Sequence, residues 1–221
     1  MTFKIASNHY KHTANRVFIK ACEHVGINFS TATAFYLDAE QVRTSNALLA
    51  AGVPRDDLYV ANSDSKTAAI IRRTVPKTVT STSTEFLRTT KQTFNIVWAD
   101  YCCTPSKTFD DPRLLFERGL MLPGIIAVTF CRRGISVEQQ LDKWTDILYT
   151  SADLAGFDLC ELVNETYKTM ILIIWEVRRG MKIDFHTEAH VDSIRYRISL
   201  IIIQETMAKP SLIFISCAYS C

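Results

Sequence analysis

The sequence lacks the features that mark several specialised classes of protein: it has no long hydrophobic run, little net charge and no C-x-x-C pair of cysteines. No segment of its 221 residues reaches the roughly 18 consecutive apolar residues that a membrane-spanning helix needs. Residues 1–18 have neither an uninterrupted apolar core nor a small-residue cleavage site, so we expect no signal peptide. The formal net charge of +2 is too small to indicate a nucleic-acid binder by itself. We therefore expect a protein that makes no membrane contacts.

The seven cysteines form no pattern that is typical of a metal site or of a disulfide framework. Their number is odd, and no C-x-x-C pair suggests a zinc ribbon. Several lie inside apolar, strand-like runs, where reduced cysteine behaves as a small hydrophobic residue. This usage favours a reducing compartment, so we expect an intracellular protein of the cytoplasm or nucleus. The cysteines are Cys22, Cys102, Cys103, Cys131, Cys160, Cys217 and Cys221.

Two histidines near the C-terminal end, His186 and His190, have the spacing of metal ligands on one helical turn. They do not follow the H-E-x-x-H order, and no third ligand is evident nearby. We therefore expect no metal site.

What the sequence does contain is a globular composition with clearly patterned segments. With 48% hydrophobic and 22% charged residues, the chain is long and apolar enough for one large core. Residues 34–37 predict a buried strand, residues 45–51 a helix that ends at Gly-Val-Pro, and residues 58–61 a second strand. Together they predict a βαβ unit.

Polar side chains follow both strands of this unit. Asp38 and Glu40 come after the first strand, and Asn62 and Asp64 come after the second. In an open parallel sheet the ligand crevice lies outside the carboxyl ends of the strands. We therefore expect both clusters to face one cleft.

The rest of the chain continues the alternation of strands and helices. The clearest strand is the continuous apolar run of residues 94–99, which is typical of a strand covered on both faces. This order predicts a doubly wound, mostly parallel α/β sheet. The further predicted helices are residues 13–24, 65–74, 85–90, 111–122 and 136–149, and the further strands are residues 77–81 and 125–131.

Two apolar runs break this alternation near the end of the domain. Residues 157–163 and 170–177 are joined by the sequence NETYK, which is too short for a helical crossover. They therefore predict an antiparallel hairpin at or next to a sheet edge. We assign residues 1–180 to one Rossmann-like domain and residues 181–221, with apolar runs at 198–203 and 212–215, to a C-terminal extension.

This order of parts resembles the Rossmann-type class I methyltransferases, which use S-adenosylmethionine. In that family the loop after the first strand faces the methionine end of the cofactor, and an acidic residue after the second strand holds the ribose hydroxyls. The loop after the fourth strand faces the transferred methyl group. The resemblance assigns cofactor contacts to Asp38, Ala39, Glu40, Asn62 and Asp64 in this sequence. It assigns catalytic contacts to Asp100 and Tyr101.

The loop after the first strand departs from the family pattern. Where the family has G-x-G, this sequence reads DAEQVRTS, with no glycine before Gly52. The side chains of Ala39, Gln41 and Val42 stand where a backbone normally approaches the ligand closely. Either Asp38 and Glu40 accept hydrogen bonds from the ammonium group of the cofactor, or the cofactor does not bind.

The segment WADYCC, at the end of the fourth strand, carries a carboxylate, a phenol and two thiols. Asp100 could orient an acceptor amine or hydroxyl, and Tyr101 could stack on a base. In the alternative interpretation Asp100 caps a turn and Cys102 and Cys103 pack inward. A further alternative makes Cys103 a nucleophile, as in the cytosine-5 RNA methyltransferases, although Cys102 stands where they have proline.

Three functions follow from these observations. The first is an S-adenosylmethionine-dependent methyltransferase with nucleic acid as acceptor, because Tyr101 lies at the site and Lys11, Arg16 and Lys20 make the leading helix basic. The second is a catalytically degenerate protein of the same fold that acts as a binding or scaffold subunit. A nicotinamide-linked oxidoreductase fits less well, because its glycine fingerprint is missing.

Overall fold

The computed structural model describes residues 7–101, 103–132, 136–167 and 169–180, and for residues 7–12 and 167 it describes the backbone alone. The predicted extension, with its apolar runs and with His186 and His190, lies outside the described residues, as does Cys102. The helices are α1 (Ser7–His24), α2 (Arg43–Ala51), α3 (Ser65–Arg72), α4 (Ser83–Thr89), α5 (Asp110–Glu117) and α6 (Val137–Leu154). The strands are β1 (Ala34–Leu37), β2 (Leu58–Ala61), β3 (Thr78–Val79), β4 (Phe94–Asp100), β5 (Met121–Cys131), β6 (Phe157–Tyr167) and β7 (Met170–Arg179).

The strands form one seven-stranded sheet in the order β3-β2-β1-β4-β5-β7-β6. Strands β1 to β5 are parallel, and β7 runs antiparallel to both of its neighbours, β5 and β6. The strand order reverses between β1 and β4, where the first half of the sheet meets the second half. The predicted doubly wound α/β fold is confirmed.

The predicted antiparallel hairpin is also confirmed, and its strand β6 forms an edge of the sheet. The predicted connection was too long, because β6 continues through Asn164 to Tyr167 before the chain turns back. Tyr167 pairs with Met170, and an irregularity in the register lies between Glu161 and Val163. Continued pairing with β7 therefore extends this strand beyond its apolar part.

Helix α5 is shorter than predicted and β5 is longer. Leu120 and Met121 have helical spacing in the sequence, but Gly119 adopts a positive φ of 63° and ends the helix. Strand β5 then begins at Met121 and passes through Gly124, where the backbone of Asn95 lies so close that a Cβ would be 1.9 Å from its carbonyl oxygen. Glycine is required at this close approach.

A hydrophobic layer covers each face of the sheet. On one face Phe35, Val97 and Trp175 pack against helices α4, α5 and α6. On the other face Tyr36 and Trp98 pack against helices α1, α2 and α3, and Trp98 meets the ring of Phe18 edge-on at 4.2 Å between centroids. Alternate residues of each central strand thus face opposite layers, as the apolar run of β4 predicted. None of the described helices has the length and apolar character needed to cross a membrane.

Candidate functional site

A cleft of about 640 Å³ opens at the carboxyl ends of β1, β2, β3 and β4. Its position matches the crevice that open α/β sheets form where the strand order reverses. The chain lines it with short segments that directly follow these strands. The lining residues are 37–39, 61–63 and 81–84, together with Asp100, Tyr101, Cys103, Lys107 and Thr108.

The structure brings five of the seven predicted site residues to this cleft. Asp38, Ala39, Asn62, Asp100 and Tyr101 all belong to its lining. The other two, Glu40 and Asp64, are exposed and lie outside the lining. Separate strand ends therefore do converge on one concave surface, although not every polar residue beside them faces it.

The carboxylate of Asp38 organises the glycine-poor loop after β1. Its Oδ1 accepts a hydrogen bond from the backbone N–H of Ala39 at 2.9 Å. Its Oδ2 accepts from the N–H of Ser45 at 2.9 Å and from the Ser45 hydroxyl at 2.7 Å. Burial raises the pKa of Asp38, and these hydrogen bonds oppose that shift. The side chain thus fastens the loop to the first turn of α2.

The same loop makes a tight turn without glycine. The N–H of Val42 donates to the carbonyl of Ala39 at 2.9 Å, and Val42 itself adopts a left-handed conformation with φ of 45°. This conformation costs an L-residue about 1–2 kcal/mol, and a β-branched side chain adopts it rarely. The backbone therefore follows a path that glycine would follow without strain.

Asn62 links the loops that follow β1 and β2. Its side-chain Nδ2 donates to the carbonyl of Asp38 at 2.9 Å, and its Oδ1 accepts from the N–H of Asp64 at 2.9 Å. Asp64 caps α3 by accepting from the N–H of Thr67 at 2.7 Å, and this hydrogen bond lowers its pKa. The residue between them, Ser63, lines the cleft. Asn62 thus faces the cleft, whereas Asp64 supports a helix beside it.

Tyr101 does not offer a ring face to a base. Its ring stacks on Phe130 with 5.1 Å between centroids, and only 4% of the residue is exposed. The backbone turns inward after β4, where the N–H of Tyr101 donates to the carbonyls of Ala99 and Thr129. The stacking interpretation is therefore wrong, because Phe130 stacks on the ring and almost none of the residue is exposed to a ligand.

The hydroxyl of Tyr101 instead donates to Asp111 Oδ2 at 2.6 Å. Asp111 also accepts from the hydroxyls of Ser83 and Thr84, each at 2.5 Å, and is only 1% exposed. Burial is the main cause that raises the pKa of Asp111, and burial likewise raises that of Tyr101. The sequence analysis missed this cluster, whose only local signal is the hydroxyl run of residues 81–84.

Asp100 stands on the cleft wall at the end of β4, where its Oδ1 accepts a hydrogen bond from the hydroxyl of Thr129 on β5. Cys103 also lines the cleft and packs against the core. Lys107 is the one cationic side chain in the described lining. No group of three or more His, Cys, Asp or Glu side chains suited to a metal ion occurs among the described residues.

The strand order, the antiparallel β7 and the cleft at the reversal of strand order define a class of fold. It is the fold of the Rossmann-type class I methyltransferases, and the resemblance noted in the sequence is confirmed at that level. By sequence, the chain matches no family model and no curated protein.

Solved structures of this fold are similar over most of the chain. One is the magnesium protoporphyrin IX methyltransferase of Synechocystis PCC 6803, with a TM-score of 0.54, 11% identity and coverage of 81% of this chain and 90% of that one. The N-methyltransferase NodS of Bradyrhizobium japonicum has a TM-score of 0.54, 10% identity and coverage of 80% and 99%. A Clostridium thermocellum protein, provisionally described as an rRNA methylase, has a TM-score of 0.52, 14% identity and coverage of 80% and 100%.

Proposed function

We propose that this protein binds S-adenosylmethionine in the cleft and transfers its methyl group to an acceptor. The observation that carries the proposal is the convergence of Asp38, Asn62 and Asp100 at the reversal of strand order. Ligands of open α/β sheets bind at such a place. The Synechocystis methyltransferase of the same fold has been solved with S-adenosylhomocysteine bound.

The residues of the cleft fit this cofactor. A volume of about 640 Å³ lies within the range of roughly 300–1,000 Å³ that small-molecule sites occupy. The turn from Ala39 to Val42 gives the loop after β1 a compact path although it has no glycine. When bound, S-adenosylmethionine supplies a methyl group on a positively charged sulfur, which carboxylates at the cleft attract.

Each lining residue then has a role that its position supports. The loop of Asp38 and Ala39 borders the methionine part of the cofactor, and the carboxylate adds negative charge near the ammonium group. Asn62 and Ser63 stand after β2, where the resemblance places the ribose contact. Glu40 and Asp64 lie outside the lining, so we assign them no direct contact with the ligand. Their contribution is the negative charge that they add beside the cleft.

Asp100 is the residue that we assign to the acceptor. It lines the cleft together with Cys103 and Lys107, which follow it along the chain. Methyl transfer needs the acceptor held in line with the donor and, for an amine or hydroxyl, a base that takes its proton. The carboxylate of Asp100, oriented by Thr129, can do both.

Nucleic acid is the acceptor class that we propose. Arg16 and Lys20 on α1 are both exposed and stand one helical turn apart, so they present two cations on one side of the helix. Such cations neutralise phosphates and position a nucleic acid without reading its sequence. The similar structures carry names that mention a porphyrin and an rRNA, so the fold by itself does not select the acceptor.

Isothermal titration calorimetry with S-adenosylmethionine and S-adenosylhomocysteine tests the proposal on the whole chain. We expect one binding site per chain and a matching rise in melting temperature, because a ligand that binds only the native state stabilises it. Absence of binding at millimolar ligand would contradict the proposal that the protein is an enzyme and would favour the scaffold hypothesis.

A further inference from the structure

One wall of the cleft is built from hydroxyl groups that converge on a single buried carboxylate. Ser83 and Thr84 belong to the first turn of α4, Tyr101 follows β4, and Asp111 lies in the first turn of α5. The three hydroxyls donate to the two oxygens of Asp111 at 2.5 to 2.6 Å. Ser83, Thr84 and Tyr101 line the cleft, whereas Asp111 lies behind them and is not part of the lining.

The hydrogen bonds determine what these hydroxyls can offer to a ligand. An ionised carboxylate only accepts hydrogen bonds, and each hydroxyl has one proton to donate. When all three protons point at Asp111, the oxygens of Ser83, Thr84 and Tyr101 can only accept from a group in the cleft. The wall therefore only accepts hydrogen bonds from the cleft, although a hydroxyl group can usually both donate and accept.

A neighbouring hydroxyl in the same cleft is left without a hydrogen-bond partner among the described residues. Ser81 Oγ is shielded from solvent and has no hydrogen-bond partner among the described residues, and Ser81 lines the same cleft. A buried hydroxyl left unpaired costs about 1–3 kcal/mol, so a polar ligand group at this place removes a penalty.

We propose that Asp111 is a positioning residue that makes this wall select a ligand amino group over an oxo group. The inference rests on the proposed function, because it concerns the same cleft. The amino group can come from the adenine of the cofactor or from a base of the acceptor, and the two sources share one chemistry. An oxo group that faces Ser83, Thr84 and Tyr101 would meet only acceptors, and its lone pairs would stay unpaired there.

Two pairs of probes separate the sources. S-adenosylhomocysteine and S-inosylhomocysteine differ by an amino and an oxo group on the purine. Cytidine and uridine, added to protein saturated with S-adenosylhomocysteine, differ in the same way at a pyrimidine. We expect the amino member of one pair to bind at least about tenfold more tightly, as is typical when a buried polar contact is lost.

Asp111→Asn is the variant that tests the positioning role of Asp111. The new amide must donate to one hydroxyl, which frees the proton of that hydroxyl to point into the cleft. We expect the preference for the amino ligand to fall to within about threefold, because the wall then offers a donor as well. Asp110→Asn is the matched control: the side chain of Asp110 is 42% exposed and pairs with Arg88 and Arg113, so this variant should leave the preference unchanged.

Ser83→Ala keeps the proposal testable if Asp111→Asn does not fold, since it removes one acceptor and should reduce the same preference. A wild-type protein that binds S-adenosylhomocysteine but prefers the amino ligand in neither pair overturns the inference. So does a preference that survives both Asp111→Asn and Ser83→Ala. If S-adenosylhomocysteine itself does not bind, the proposed function fails instead, and calorimetry on the wild type shows this before any variant is made.

Discussion

The side-chain amide of Asn62 lies 2.9 Å from the carbonyl oxygen of Asp38 and donates a hydrogen bond to it. This contact spans the carboxyl ends of two parallel strands and fixes the distance between the loops that follow them. Because the opposite end of the amide accepts from the N–H of Asp64, Asn62 also holds the entry into α3. One side chain thus shapes the part of the cleft that we assign to the cofactor.

Asn62→Ala should weaken both the fold and the cleft. The carbonyl of Asp38 and the N–H of Asp64 would each lose a partner, and we expect the free energy of unfolding to fall by about 1 kcal/mol. S-adenosylhomocysteine should also bind several-fold more weakly. Urea denaturation and calorimetry measure the two effects. Asn46→Ala on the exposed side of α2 is the control and should lower neither quantity, because alanine is a good helix former; equal losses in both variants would contradict the bridging role.

The backbone at Val42 predicts a reversal of the usual order of glycine and alanine. Glycine commonly destabilises a helix by roughly 0.5–1 kcal/mol relative to alanine, but at a φ of 45° the side chain of alanine keeps a strain that glycine lacks. Val42→Gly and Val42→Ala lose similar packing. We therefore expect Val42→Gly to be the more stable of the two by about 1 kcal/mol, measured by urea denaturation. A more stable alanine variant would show that the left-handed turn is not retained.

The pKa of Asp111 gives a pH dependence with a definite sign. Burial raises this pKa above its unfolded value of about 3.9, so the folded protein holds the proton more tightly. The resulting stabilisation is complete below the unfolded pKa and is lost as the pH rises through the folded pKa. The free energy of unfolding of the wild type, minus that of Asp111→Asn, should therefore decrease from about pH 4 upward and then level off. Urea denaturation over this pH range measures this difference in the free energy of unfolding. A difference that increases with pH would contradict the prediction.

The sequence was sufficient for β1 and β2, because their apolar runs are local and are followed directly by polar turns. It was misleading for α5, where Leu120 continues the helical spacing and only the conformation of Gly119 ends the helix. It also placed Asp38 and Asn62 correctly at the cleft, since the crevice rule depends on strand ends alone.

The inward direction of Tyr101 and the role of Asp111 were beyond sequence reasoning. Tyr101 lies after the regular alternation of β4 has ended, so its side could not be read from the period of two. Asp111 meets Ser83 from 28 positions away along the chain, and such a pairing appears only once α4 and α5 are packed together. Glu40 and Asp64 show the converse, because a polar residue near a strand end can still point away from the cleft.

Asp100 provides the sharpest test of the proposed chemistry, because it reaches the cleft without belonging to the segments that we assign to the cofactor. Asp100→Asn keeps the size of the side chain but removes its basicity, so kcat should fall about a hundredfold or more while the Kd for S-adenosylhomocysteine stays nearly unchanged. Transfer of labelled methyl groups to pools of random-sequence RNA and DNA measures kcat, and calorimetry measures the Kd.

Thr129→Val removes the hydroxyl that orients Asp100 and should produce a smaller fall in kcat, since the carboxylate is still present. A wild-type protein that binds cofactor but methylates neither RNA nor DNA in this assay would contradict nucleic acid as the acceptor. An Asp100→Asn protein with full turnover would contradict the role of this carboxylate, because the reaction would then proceed without it as a base.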